Sequence, residues 1–419
     1  MQGFLKGFRI LDFGQAISGT YASMLLGEMG ADVIKIENVP HPEPATMDIG
    51  NVEINQWICN HWAHNRNKRG ICLDMKNPSG KAIFYELLKF SDVVFDNFRP
   101  HVLKNIGIDY ETLKQYNSKI ISCSITGYGH TGPWKEVAAY DLTAQAIGGT
   151  MSITGEPGGM PARCGVAIGD LIPAVYSAFA ISAALLGRER TGVGQRIDLS
   201  MMDCQLAFHT YRVPAVFTMG KEFGPNPRRS GAAAQVPYGP FKCSDGKCIA
   251  ITGGAVQFWG PICKAVGRED LTHDPRFDTN TKRLEREAEL TKIFEDIFAT
   301  KTADEWERIL FEVKVPAAKV HSIREAFLHP QAQAREMLIS IDDHPLGKKM
   351  KLAANPIKIQ SPDDRIEYKP APSLGEYTRE VLSELLGYSP EKLAKLKTEG
   401  AVWWPEQGVF YSADYSRFA

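Results

Sequence analysis

Apolar runs and helical periods alternate through the first half of the chain. Arg9-Ile-Leu-Asp-Phe13 is a short apolar run that predicts a buried strand, followed by Gly14 and a helical pattern over 19–29. Gly30 is placed to end that helix, and Ala31-Asp-Val-Ile-Lys-Ile-Glu37 predicts the next strand. Strand, helix and strand in such close succession form a βαβ unit, which favours a parallel sheet. A second unit follows, with a helix over 80–90 and the strand Asp92-Val-Val-Phe-Asp96. Lys119-Ile-Ile-Ser-Cys-Ser-Ile125 predicts a further strand, and helical patterns recur over 171–187 and 200–219. The fold class expected is α/β, with a doubly wound N-terminal part.

The pattern changes after that. Gly224-Pro-Asn-Pro-Arg-Arg-Ser-Gly231 has the composition of a linker. Short strands over 239–243 and 248–252 flank a Ser-Asp-Gly turn, and two charged amphipathic helices follow over 285–299 and 303–313. This predicts a smaller α+β domain over 225–325, between a large domain over 1–224 and a return segment over 326–419. Over 376–386 the pattern is helical, with Gly387 placed to stop it. Trp403, Trp404, Tyr411, Tyr415 and Phe418 make the tail too aromatic for a free end, so it is expected to pack on the body or on a partner chain.

Composition narrows the class. The 419 residues are 44% hydrophobic, enough for more than one core, and 48 basic side chains nearly balance 49 acidic ones. A net charge of −1 gives no footprint for nucleic acid or an anionic membrane. Residues 1–11 lack the apolar centre of a signal peptide, and the apolar run 171–187 contains Pro173 and two serines, so a buried helix is expected there. The eight cysteines lack zinc or haem spacing, consistent with reduced thiols. A cytoplasmic protein is expected.

Several familiar chemistries find no motif. The first strand is followed by Gly14-Gln-Ala-Ile-Ser-Gly19 rather than G-x-G-x-x-G, and there is no Walker A loop, G-x-S-x-G elbow or H-E-x-x-H pair. His61 and His64 share a helix face, but Cys59 does not join them, so a solvated or capping role is expected and no metal site.

Three segments remain. In Gly165-Val-Ala-Ile-Gly-Asp-Leu-Ile-Pro173 a lone carboxylate, Asp170, opens a long apolar helix. On pattern alone it reads first as an N-cap, and that role is compatible with a nucleophile that the helix dipole keeps ionised, with Gly169 leaving room for substrate. In His64-Asn-Arg-Asn-Lys-Arg69 three cations within four residues suit either a solvated loop or a phosphate-binding rim. Thr126-Gly-Tyr-Gly-His-Thr-Gly-Pro-Trp134, leading to Tyr140-Asp141, suits either a ligand-binding loop at the carboxyl edge of a sheet or a plain long connection.

Taken in order, these segments resemble the class III CoA-transferases, the family of formyl-CoA:oxalate and crotonobetainyl-CoA:carnitine CoA-transferases. The resemblance is carried by Arg9–Phe13, Gly30–Glu37, Asn67-Lys-Arg69 with Leu73-Asp74, and Asn97-Phe-Arg-Pro100. It continues through Gly127-Tyr-Gly129, Tyr140-Asp141, Gly169-Asp170, Thr191-Gly192 with Gly194-Gln195, and Tyr238-Gly239 with Asp245-Gly246, covering about residues 5–397.

The resemblance implies a Rossmann-like large domain and a small domain in an interlocked homodimer. It implies an acyl-CoA and a small carboxylic acid as substrates, with no permanently bound cofactor or metal. The family's catalytic aspartate falls on Asp170. Its CoA contacts fall on Ile17, Ser18, Leu73, Asp74, Met75, Lys76, Asn97, Phe98, Arg99 and Tyr140, with Lys68, Arg69 and Lys104 as candidate phosphate partners. Substrate-facing loops fall on Gln15, Gly231 and Gln235. Asn38 and Asn105 stand where some relatives carry arginine, and Ala138 where oxalate-using members carry lysine, which argues against oxalate as acceptor. Two other readings share the pattern: an α-methylacyl-CoA racemase, whose second acid/base histidine is replaced here by Tyr140, and one subunit of a heteromeric transferase.

Overall fold

The computed structural model describes residues 3–40, 56–225, 235–341, 349–359 and 365–406. The chain divides into two compact units, one of Met1–Gly148, Val166–Leu206 and Gln333–Ala419, the other of Gly149–Gly165 and Ala207–Ala332. Segments 149–165 and 207–224, expected within the large domain, thus make their contacts in the second unit.

In the first unit the elements run β1 Arg9–Asp12, α1 Ser18–Glu28, β2 Asp32–Glu37, α2 Gln56–Asn65, β3 Lys68–Leu73, α3 Pro78–Leu88, β4 Val93–Asp96, α4 Pro100–Ile106 and α5 Tyr110–Tyr116. They continue with β5 Ile121–Thr126, α6 Asp141–Ile147, α7 Ile168–Thr191, β6 Arg196–Ser200 and α8 Met201–Phe208. The sheet order is β3-β2-β1-β4-β5-β6, all parallel, with the strand Val402–Trp403 added antiparallel to β3. Strand order reverses between β1 and β4, the switch point at which doubly wound sheets open a crevice on their carboxyl edge.

Local signals explain the element ends. Asn77 caps α3 by accepting the Ser79 N–H, with Pro78 preset for the first turn. Gly107, Gly192 and Gly387 close helices with φ of 79°, 71° and 67°, values that favour glycine. One face of the sheet is covered by Phe84, Leu87, Val102, Leu113, Val381 and Trp404. On the other face, Ala22, Leu26, Ala174, Ile181 and Leu185 bring α1 and α7 against Ile10, Val93, Ile121 and Cys123. Helix α7 is long and apolar enough to cross a membrane by length and composition alone. Trp403 and Trp404 are buried, so the described part of the tail packs on the body; Tyr411, Tyr415 and Phe418 lie outside the described residues.

The second unit pairs Tyr238–Lys242, Cys248–Thr252 and Ala317–Lys319 into an antiparallel sheet. Helices Val256–Ala265, Glu287–Phe298 and Ala303–Glu312 bury Trp259, Phe294, Phe298 and Leu310 against it. Arg283 is buried here, donating to the carbonyls of Val236, Phe277 and Gly254. The helical pattern over 200–219 resolves into two helices, α8, whose residues up to Leu206 belong to the first unit, and Val213–Met219 in the second.

Candidate active site

Loops on the two sides of the switch point are tied together. Asn97, following β4, accepts the Gln15 N–H at 2.8 Å and donates to the Gln15 carbonyl at 2.9 Å and the Ser18 hydroxyl at 3.3 Å. Asp12 takes the Gly14 N–H at 2.7 Å while the Lys35 ammonium donates to the Gly14 carbonyl at 2.8 Å. A Cβ on Gly19 would lie 2.6 Å from the Gly14 Cα and 2.9 Å from the Asn97 Oδ1, so this turn admits no side chain there. Gln15, Ile17, Ser18 and Asn97 are therefore one structural group, with Ala16 exposed at its apex with a φ of 52°.

The turn after β3 buries Leu73 and Met75 and leaves Lys76 exposed, its N–H bonded to Asp74 at 2.8 Å. Past β4, Phe98 is buried while Arg99 and Lys104 are exposed. Lys76, Arg99 and Lys104 form no ion pair among the described residues; Lys76 and Arg99 stand in the turns after β3 and β4, and Lys104 in the last turn of α4. Sequence reasoning missed Asp96, wholly buried at the end of β4. Burial pushes its carboxyl up to about 7 despite bonds from the Ser124 hydroxyl at 2.6 Å and the Phe98 N–H at 3.1 Å.

The cation cluster is neither a solvated loop nor a phosphate rim. Lys68 is wholly buried, 3.1 Å from the Asp12 carboxylate, and donates to the Thr20 carbonyl and Asn65 Oδ1. Burial depresses its ammonium to about 8. Arg66 is buried against Glu28 at 2.6 Å. Arg69 reaches Asp32 at 2.7 Å and Glu384 at 2.6 Å, at the amino edge of the sheet where β2 and β3 begin. Unpaired charges cannot stay inside a core, and these three have found carboxylates. The histidines also differ from expectation. His61 is buried, its Nε2 3.0 Å from the Pro372 carbonyl, and His64 packs edge-on to Tyr21, where burial lowers it to about 4.

The remaining expected residues gather at α6 and α7. Since α7 leads back into parallel β6, its N-terminus lies at the carboxyl edge of the sheet. Asp170 sits in its first turn, but it is not the cap. The Gly169 N–H is taken by Asp141 Oδ1 at 2.8 Å, and Gln145 donates to that same oxygen at 2.9 Å. Gln205 Nε2 donates to the Ile168 carbonyl at 3.1 Å. The lack of a side chain at Gly169 serves this packing rather than a substrate: a Cβ there would lie 2.6 Å from the Asp141 carbonyl oxygen.

No hydrogen bond holds the Asp170 carboxylate among the described residues. Burial first, and the nearby Asp141 charge second, raise it to about 6, overriding the helix dipole. At pH 7 such a group is still about nine-tenths ionised. Tyr140 precedes α6 with its ring 75% exposed and its N–H on the Thr143 hydroxyl. In the glycine-rich loop after β5, the Gly129 N–H is bonded to Thr126 Oγ1 at 2.8 Å and the His130 N–H to Asp198 at 3.0 Å, so neither is free to receive an oxyanion. Gln235 belongs to the second unit, and Gly231 lies outside the described residues.

Comparison with known proteins gives the family. A model of CoA-transferase family III matches residues 5–378. The chain is 35% identical over 392 residues to a succinate–glutarate CoA-transferase of Agrobacterium fabrum, covering 91% of this chain and 95% of that one. It is 34% identical over 400 residues to a succinyl-CoA:glutarate CoA-transferase of Mus musculus, covering 95% and 90%. Among solved structures, a CAIB/BAIF family protein from Brucella suis superposes with a TM-score of 0.78 at 32% identity, over 91% of this chain and 99% of that one. The family match over residues 5–378 and these relatives show that the chain belongs to CoA-transferase family III and is a class III CoA-transferase enzyme.

Proposed function

We propose that this enzyme moves coenzyme A from an acyl-CoA to a small carboxylic acid through covalent intermediates on Asp170. The observation that carries this reading is an ionised carboxylate with no hydrogen-bond partner among the described residues, at the carboxyl edge of the sheet of a CoA-transferase. An Asp170 oxygen attacks the thioester carbonyl carbon; the C–S bond breaks, leaving an aspartyl–acyl anhydride and CoA thiolate. The thiolate attacks the aspartyl carbonyl, expels the donor acid and forms an aspartyl-CoA thioester. An acceptor carboxylate then attacks the same carbonyl, and the thiolate it displaces takes the new acyl group, regenerating Asp170.

One thioester replaces another, so the cycle needs no other energy source. A carboxyl raised to about 6 is a stronger nucleophile than an ordinary aspartate. It also stands closer in basicity to a thiol near 8.5, which eases exchange between the two as nucleophile and leaving group.

On this reading Lys76, Arg99 and Lys104 face the CoA phosphates, and the Gln15–Ser18 turn held by Asn97 lies along the cofactor-like substrate. Leu73, Met75 and Phe98, being buried, form the floor beneath it, with Asp74 and Tyr140 at its sides. The relatives named for succinate and glutarate make short dicarboxylates the first acceptors to test. An interlocked homodimer is part of the proposal; the exposed stripe of Val175, Phe179 and Leu186 along α7 supports a covering partner.

The test is CoA exchange by the purified chain across a panel of acyl-CoAs and carboxylic acids. Exchange that requires an added acid and vanishes in Asp170→Asn supports the reading. Deuterium uptake into a chiral 2-methylacyl-CoA without added acid supports the racemase instead.

A further inference from the structure

We propose that Asp141 is a positioning residue for Asp170, taking over the capping of α7 so that the Asp170 carboxylate is left unbonded and faces a neighbouring negative charge. This deepens the transferase reading and rests on it.

Three observations place Asp141 in this role. Its Oδ1 accepts the Gly169 N–H at 2.8 Å, the backbone donor immediately before Asp170. Its own backbone is packed so tightly on Gly169 that a Cβ there would lie 2.6 Å from the Asp141 carbonyl oxygen and 3.0 Å from its Cα. Gln145, wholly buried one turn along α6, donates to the same Oδ1 at 2.9 Å and fixes its orientation. Gln205, also wholly buried, holds the Ile168 carbonyl from α8. The peptide group between Ile168 and Gly169 is thus pinned at both its N–H and its carbonyl by side chains of other helices.

The N-cap residue of α7 is Ala167, which has no polar side chain to engage the helix's orphan N–H groups. Here that engagement comes from outside the helix. A carboxylate bonded to backbone N–H groups would be stabilised as the anion and blunted as a nucleophile. Asp141 leaves Asp170 free of such bonds and acts on it as a like charge. Asp141 is the charged group that acts on Asp170, which otherwise feels burial. The packing partners of α7 here, α6 and α8, contribute Asp141 and Asp203 as their acidic residues, and α1 contributes Glu28 at its far end.

The test compares wild type with Asp141→Asn, which keeps an oxygen for the Gly169 N–H and removes the charge. Both are mixed with acyl-CoA from about pH 4.5 to about 8 (a range that spans the raised Asp170 value), each sample is stopped at short times and trapped with hydroxylamine at one fixed pH of about 7, and acylated Asp170 is quantified by mass spectrometry. In wild type the acylation rate is expected to fall about tenfold per pH unit below about 6. In Asp141→Asn the acid limb moves to lower pH, so the fraction of plateau rate remaining at pH 5 rises by at least about twofold. A purely structural Asp141 would leave the limb where it was, and that result overturns the inference while leaving the transferase reading intact. No trapping in active wild type overturns the transferase reading itself. If Asp141→Asn fails to fold, the wild-type profile still decides: an acid limb near 4, the ordinary carboxylate value, rules out the proposed influence of Asp141.

Discussion

The Lys68 ammonium lies 3.1 Å from the Asp12 carboxylate, and both side chains are wholly buried. This pair joins the start of β3 to the end of β1 beneath the loops that carry the candidate site. Removing one partner leaves the other as an uncompensated buried charge, so Lys68→Met is expected to lower unfolding free energy by about 3–5 kcal/mol. Asp12→Asn with Lys68→Met should recover part of that loss. Urea unfolding of the single and double variants measures both; a single variant as stable as wild type would contradict the pairing.

Arg69 and Arg99 separate structure from binding. Arg69 is held by Asp32 and Glu384, whereas Arg99 and Lys104 carry no ion pair among the described residues. Arg99→Ala and Lys104→Ala are expected to raise KM for acyl-CoA about fivefold each with little change in kcat, more at low salt than at high. Arg69→Ala should alter thermal stability and leave KM unchanged. Steady-state kinetics at two ionic strengths distinguish the cases, and equal KM values for all three variants would remove these cations from the CoA site.

Asp170 is expected to trade stability for reactivity. Its folded-state carboxyl, near 6, lies above the ordinary value of 3.8. The folded chain therefore binds that proton more tightly than the unfolded one. Its stabilising effect is complete below about 3.8 and is lost as pH rises through 6. Asp170→Asn removes the buried charge and should be about 1–2 kcal/mol more stable at pH 7, with the gain disappearing toward pH 4. Denaturation curves at the two pH values check the sign; a variant less stable than wild type at pH 7 would mean that the carboxylate is held by bonds absent here.

Gly169 is expected to tolerate no side chain. Alanine is the better helix former, by about 1 kcal/mol. Its Cβ, however, would lie 2.6 Å from backbone oxygen, which has no flexible end to yield. Gly169→Ala should destabilise by about 1–3 kcal/mol and lower kcat together with it. Calorimetry and initial rates on one preparation measure both; an unperturbed variant would show that α6 and α7 can separate.

Much of the sheet was legible in the sequence. β1, β2, β4 and β5 are apolar runs buried on both faces, as parallel strands in doubly wound folds require. The edge strand β6, Arg-Ile-Asp-Leu-Ser, alternates between exposed and half-buried and gives no such run. β3 was legible only from Ile71, because Lys68 and Arg69 open it and their carboxylates stand 56 and 37 residues away. Asp12, Lys35 and Glu37 inside otherwise apolar strands were the available signal, since buried charges require partners. The place of Asp170 in the first turn of an apolar helix was legible in the sequence. Its release from capping was not, because that depends on Asp141, 28 residues from Gly169 in sequence.

The most direct measurement is the chemical state of Asp170 during turnover. Wild-type enzyme supplied with acyl-CoA is quenched with hydroxylamine, digested and sequenced by mass spectrometry. The peptide containing Asp170 should carry a hydroxamate that depends on acyl-CoA and is missing in Asp170→Asn, which should transfer no CoA. An unmodified Asp170 in enzyme that is transferring CoA, or wild-type turnover by Asp170→Asn, would contradict the covalent mechanism.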